Sequence, residues 1–193
     1  MRRTTMFVVC TLALALCAGY AAAATTTPPA DTLKVDYFSG ANTSGNPDGT
    51  VRITNPGTSG GNLCAAIYVY DSFQELSECC SCKVTPNGLL TLSVDTNLTS
   101  NPLTGVTLTT GSIRIVASKV PANGVCPALP DYVVPTPSVR AWATHIQAGG
   151  VITETASQDA TFSAAEQNLL QGDCYAASLV GSGRGVCSCG TGD

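Results

Sequence analysis

Charge is scarce in this chain: Asp, Glu, Lys and Arg together make up 11% of its 193 residues. Histidine occurs once, at His145. Beyond the N-terminal segment there is no apolar run approaching the roughly 20 residues that a membrane-crossing helix requires. Each shortage removes a class of function. Phosphate backbones and anionic membrane surfaces are held by clustered Lys and Arg, so a chain with nine basic residues against thirteen acids is not expected to bind either. One histidine with no cysteine beside it does not suggest a mixed His/Cys zinc site. No membrane-spanning segment is expected in the mature protein.

The N-terminus reads as an export signal covering residues 1–24. Arg2 and Arg3 form a basic start, Met6 to Ala18 an apolar run, and Gly19 to Ala24 supply small residues for a signal peptidase, with cleavage between Ala21 and Ala24. The run Leu14-Ala15-Leu16-Cys17 resembles a lipidation signal, but Leu16 stands where a small residue is needed. Cleavage leaves seven basic residues and thirteen acids, a formal charge of -6. Residues 25–30 are a Thr/Pro leader, and residues 31–193 suit a single domain. The chain is therefore expected to be secreted, as an extracellular or periplasmic protein.

Within that domain the hydrophobic pattern has period two. Leu33, Val35 and Tyr37 alternate with Lys34 and Asp36, and Val51 and Ile53 alternate with Arg52 and Thr54, so both segments predict strands with one wet face. Leu63 to Tyr70 is apolar on both faces and predicts a central strand. Further strands are expected at Leu90 to Val94, Val106 to Thr109, Ser112 to Ser118, Val139 to Gln147 and Val151 to Ala156. The last two form a hairpin across Gly149-Gly150. Pro121 to Pro137 reads as a long loop pinned at Cys126. Ser163-Ala164-Ala165-Glu166 is a capping box opening the one convincing helix, which ends at Gly172 or runs on to about Val180. The fold class is all-β: a disulfide-stapled antiparallel β-sandwich, Ig-like or jelly-roll-like, with a short C-terminal helix.

Ten cysteines are the most informative residues present. Cys10 and Cys17 lie in the export signal. Cys64, Cys79, Cys80, Cys82, Cys126, Cys174, Cys187 and Cys189 remain, an even set that predicts four disulfides in an oxidising compartment. The tripeptides Cys80-Ser81-Cys82 and Cys187-Ser188-Cys189 share a spacing that puts both sulfurs on one face of an extended chain. Antiparallel pairing would join Cys80 to Cys189 and Cys82 to Cys187, leaving Cys64 for Cys79 and Cys126 for Cys174. Eight cysteines allow 105 connectivities. The rival reading is a zinc or copper(I) thiolate site, against which stand export and spacings of zero and one residue between paired cysteines.

Other patterns point to chemistry more weakly. Gly57-Thr58-Ser59-Gly60-Gly61 matches a nucleophile elbow, with Asp131 and His145 following in hydrolase order, yet the surrounding strands are not the parallel sheet such an elbow needs. No catalytic residue and no resident metal or cofactor is therefore expected, and an enzyme is not the favoured reading. Asp71, Glu75 and Glu78 are close enough in sequence to suggest a calcium loop, although a solvated acidic turn is the simpler account. Arg140 and Trp142 share a strand face that suits an exposed recognition patch, while core packing is the expectation for Trp142. Asn42 and Asn97 begin glycosylation sequons.

The strings Asn62-Leu63-Cys64-Ala65-Ala66-Ile67-Tyr68-Val69, Glu78-Cys79-Cys80-Ser81-Cys82, Thr85-Pro86-Asn87-Gly88-Leu89-Leu90, Arg140-Ala141-Trp142 and Cys187-Ser188-Cys189-Gly190 resemble a group of uncharacterised secreted bacterial proteins. The group shares an ECCxC cluster and a CSCGTGD-like tail. The resemblance implies export and a cysteine framework, with no catalytic residue to carry over. Two roles fit the sequence. One is a structural or interaction protein outside the cell, able to assemble by donating the leader and Leu33 to Tyr37 as a strand to a neighbour. The other is a calcium- or carbohydrate-binding module. Its partners would be a second copy of itself, a cell-surface protein or a glycan.

Overall fold

Leu63–Asp71 forms a strand in which all nine residues are buried, as a segment apolar on both faces requires once a layer packs on each side. The computed structural model describes residues 32–100, 104–130, 133–180 and 185–190. The export signal, the leader and Asp131 lie outside the described residues. In chain order the strands are β1 (Leu33–Ser39), β2 (Thr50–Thr54), β3 (Leu63–Asp71), β4 (Leu76–Val84), β5 (Leu89–Ser93), β6 (Thr110–Lys119), β7 (Arg140–Ile146), β8 (Ile152–Ala156) and β9 (Gln158–Ala160). Helix α1 spans Ala164–Val180. Strands β4-β3-β6-β1-β9 make a five-stranded sheet and β5-β2-β7-β8 a four-stranded one. Every pairing is antiparallel.

Two cores follow from the side-chain alternation along β3 and β6. Ala65, Ile67, Val69, Ile113 and Ile115 point inward and meet Val51, Ile53, Leu92, Ala141 and Ala143 of the other sheet, which makes the sandwich. Ala66, Tyr68, Tyr70 and Val116 point outward and are covered by Leu170 and Cys174 of α1, Phe162, and Val133 of the proline-rich segment. The helix is thus the lid of the second core. Its start is the hydroxyl half of the expected capping box, with Ser163 Oγ accepting from Glu166 N at 3.1 Å while the Glu166 carboxylate is paired with Arg114, and it runs past Gly172 to Val180. Leu170, Cys174 and Ala177 are buried on one stripe.

The structure departs from the sequence pattern in four places. The cysteine cluster is itself a strand, β4, because alternating burial suits Cys80 and Cys82 to one side and Cys79 to the other. Val106 to Thr109 is not a strand: Asn42 Nδ2 takes the Leu108 carbonyl and Ala41 N the Thr109 carbonyl, so the segment is anchored by single bonds, and the strand begins at Thr110. Strand β9 pairs along Leu33 to Val35 of β1. Finally, Lys34 and Asp36 are buried and Tyr37 is half exposed, the reverse of a strand wet on its charged face. Each charge has a partner in the chain that follows β7, which is what makes the burial tolerable.

Candidate functional site

Three of the four disulfides converge on one strand. Cys79 is bonded to Cys174, Cys80 to Cys187 and Cys82 to Cys189, while Cys64 is bonded to Cys126 in the proline-rich segment. Since β4 ends its sheet, its outer edge is the one a foreign strand would pair with. The C-terminal tail covers it. Cys79 N donates to Gly185 O at 2.7 Å and Cys187 N to Cys79 O at 3.2 Å, a parallel bridge.

All four pairings differ from those the spacing suggested, and the cause is direction. Because Cys79 is tied to Cys174, the chain leaving α1 meets β4 at its Cys79 end and travels with the strand, so Cys187 reaches Cys80 and Cys189 reaches Cys82. Cys64 and Cys79 lie four ladder positions apart on neighbouring strands, Cys64 opposite Lys83 and Cys79 opposite Tyr68. At about 3.3 Å per residue that exceeds disulfide reach. Among the described residues the one group of three or more metal-capable ligand atoms within 4.8 Å of one another is the sulfurs of Cys80, Cys82 and Cys189. All three are bonded in disulfides, and the species that ligates metal is the thiolate.

A second polar constellation lies where β1 faces β7. His145 Nε2 is 2.6 Å from Thr155 Oγ1 and 3.6 Å from Asp36 Oδ1, and Tyr37 stacks on its ring at 3.9 Å between centroids. Asp36 accepts from Tyr37 N through Oδ1 and from Ser157 Oγ through Oδ2, at 2.9 and 2.8 Å. Lys34 is paired with Asp159 nearby. The Thr155 hydroxyl and the Asp36 carboxylate both approach the ring at Nε2, and Nδ1 has no hydrogen-bond partner among the described residues, so the ring is not oriented through Nδ1 by an acid as in a Ser-His-Asp triad. Asp36→Ala strips two donors of their buried acceptor, and urea unfolding with the disulfides intact should show a loss of about 2 kcal/mol. An unchanged midpoint would mean that water replaces the carboxylate.

The residues singled out in the sequence do not gather. Ser59 sits in the β2–β3 turn bonded to Asn55 Oδ1 and Gly61 O, whereas His145 is buried in β7 among the partners above. Asp71 Oδ1 accepts from Phe73 N and Glu75 N, closing the β3–β4 turn. Glu75 is exposed and Glu78 fully buried. Their carboxylates form no cluster of ligand atoms among the described residues. Trp142 is not a core residue. It is half-buried on the outer face of the four-stranded sheet, in a cross-strand row Thr91, Arg52, Trp142, Ala156, with Arg52 paired to Glu154 at 2.6 Å and Arg140 exposed two residues before it.

One network was invisible in the sequence because its members are far apart. Tyr70 Oη donates to Asp173 Oδ2 at 3.0 Å, Arg114 lies 4.9 Å over the Tyr70 ring, and Arg114 Nη1 meets Glu166 at 2.5 Å. Burial, followed by the hydrogen bond and the charge of Asp173, pushes the Tyr70 hydroxyl well above the usual phenol range; Arg114 opposes the shift. Raised in the folded state, this group favours folding at pH below the unfolded tyrosine value of about 10 and loses that contribution as pH climbs beyond it. Wild-type stability should therefore fall more steeply than that of Tyr70→Phe above about pH 10, read as urea midpoints across the alkaline range. Beside the network, Gln74, Glu75, Leu76, Thr104, Asp173 and Ala177 border an open depression of about 380 Å³. None of the described helices is long and apolar enough to cross a membrane. Comparison of the chain with protein-family models, curated proteins and solved structures finds no match in any of the three.

Proposed function

We infer that this chain is a secreted structural or interaction protein, a stapled β-sandwich that acts outside the cell by presenting surface and not by turning over a substrate. The observation that carries this reading is the concentration of covalent bonds on β4. Three bridges fix the helix and the tail on one sheet edge, an arrangement suited to an oxidising compartment and to control of strand pairing. Export rests on the N-terminal signal, and bacterial origin on the resemblance of the cysteine motifs. Self-assembly by strand addition needs a free edge. Strand β1 is paired on both sides, with β6 and β9, so Leu33 to Tyr37 is a poor donor. Strand β8 ends the other sheet and is exposed at all five residues, including Ile152, which makes it the better edge for a second copy. Sedimentation velocity of mature, secreted protein tests this. Concentration-dependent association supports the assembly reading, and a strict monomer at every concentration removes it.

A carbohydrate-binding role has one specific observation in its favour, the outward row of Arg52, Trp142 and Arg140. A flat sheet face bearing an aromatic ring and guanidinium donors suits a sugar's apolar face and its hydroxyls. A glycan array read against Trp142→Ala separates the two readings. Signals that vanish in the variant support the sugar site, and silence on the array with wild-type protein discards it.

A further inference from the structure

The two bridges that hold the tail touch each other. Cys80 Sγ lies 3.8 Å from Cys82 Sγ, although each is bonded to a different residue of the tail. Access to the sulfurs is uneven: Cys80, Cys82 and Cys187 are at most 4% exposed, whereas Cys189 is partly open between exposed Ser188 and Gly190. Disulfides exchange when a thiolate reaches one sulfur and expels the other, so accessibility selects the point of attack. We propose that Cys82–Cys189 is a thiol-exchange site, attacked at Cys189 by a small thiol, and that the attack isomerises both tail bridges.

The steps balance without any net gain or loss of electrons. The incoming thiolate bonds to Cys189 Sγ and expels the Cys82 thiolate. Cys82, already in contact with Cys80 Sγ, attacks it and expels the Cys187 thiolate. Cys187 then attacks Cys189 Sγ and returns the small thiol. The products are Cys80–Cys82 and Cys187–Cys189, each closed within one Cys-Ser-Cys tripeptide. The duplicated spacing thus serves two states: in register it sews the tail to β4, and closed on itself it lets the tail go. Release leaves the tail held by the backbone contacts of Cys79 with Gly185 and Cys187 and by Ser188 N donating to Asn97 O at 3.0 Å. The exchange follows from the sulfur geometry alone. Use of the bared β4 edge as a second pairing edge beside β8 rests on the assembly reading above.

Trypsin offers a direct readout, because cleavage after Lys83 and Arg184 puts Cys187 and Cys189 in the peptide 185–193 and their partners in the peptide 53–83. Folded protein is incubated with substoichiometric reduced glutathione, quenched in acid, digested without reduction and weighed both intact and as peptides. The expected result is an unchanged intact mass together with loss of peptide 185–193 from the cross-linked set, recovered free with an internal disulfide. Persistence of the cross-link overturns the proposal. So does release of that peptide only with both thiols reduced, since that is reduction and not exchange. Sedimentation of the exchanged protein separates the two ideas: a monomer with the exchanged map leaves the thiol site standing and removes β4 from the assembly reading.

Discussion

The double substitution Cys79→Ala with Cys174→Ala is expected to cost about 3 kcal/mol from chain entropy, with a further loss from the gap left in the core, in guanidinium unfolding followed by Trp142 fluorescence. The bridge closes 95 residues, and both its sulfurs are fully buried beneath α1. Its loss acts twice. The unfolded chain, still closed by Cys80–Cys187, regains only the freedom of the segment between Cys174 and Cys187, and the folded one keeps a gap where helix and sheet were pinned, beside Leu170 and Tyr68. Cys64→Ala with Cys126→Ala is the internal control. Its loop of 62 residues has no adjacent bridge to keep it closed and so regains more entropy, but Cys126 is only partly buried and holds an irregular segment in place of a helix, so little packing is lost. The first pair should therefore lose more than the second. A smaller loss from the first pair would mean that packing of the pinned helix does not outweigh the difference in chain entropy.

Gly111→Ala should be nearly as damaging, at about 3 kcal/mol or more. Gly111 sits where β6 is held between β3 and β1, opposite Asp71 on one side and Phe38 on the other. A Cβ built there would lie 2.2 Å from the Tyr70 carbonyl oxygen and 2.8 Å from the Phe38 ring. The ring alone can turn aside at small cost, but the carbonyl belongs to a strand paired along its length. Relief requires β3 and β6 to part at one end, which opens the edge of both cores. Thermal unfolding and amide exchange at Ile113 and Val69 report this. A melting temperature within a degree or so of wild type, with protection unchanged, would show that the strands separate locally at no cost.

Much of the architecture was legible in period-two alternation. Val51 with Ile53, and the doubly apolar run from Leu63 to Tyr70, each came out as strands with the expected faces buried. The helix was legible because Ser163 and Glu166 have the spacing that a cap requires. What the sequence hid has a common physical cause, in that each feature depends on where a distant segment arrives. The pairing of the cysteines depends on the direction from which α1 delivers the tail. Lys34 and Asp36 look like a wet face until Asp159 and Ser157 close over them. Cysteine alternation along β4 is a burial pattern as much as a bridge pattern, but in the sequence it showed only as Cys80 and Cys82 sharing a face. Trp142 faces out because Ala141 and Ala143 already fill the inner face of β7.

The central claim is that α1 and the tail are both sewn onto β4, with Cys64 left to the proline-rich loop. A tryptic map of mature, unreduced protein tests it most directly, because the eight cysteines fall in the four peptides 53–83, 120–140, 141–184 and 185–193. The pairing described above joins all four into one covalent cluster. Two separate clusters, 53–83 with 185–193 and 120–140 with 141–184, would contradict it and restore the pairing that spacing alone suggested.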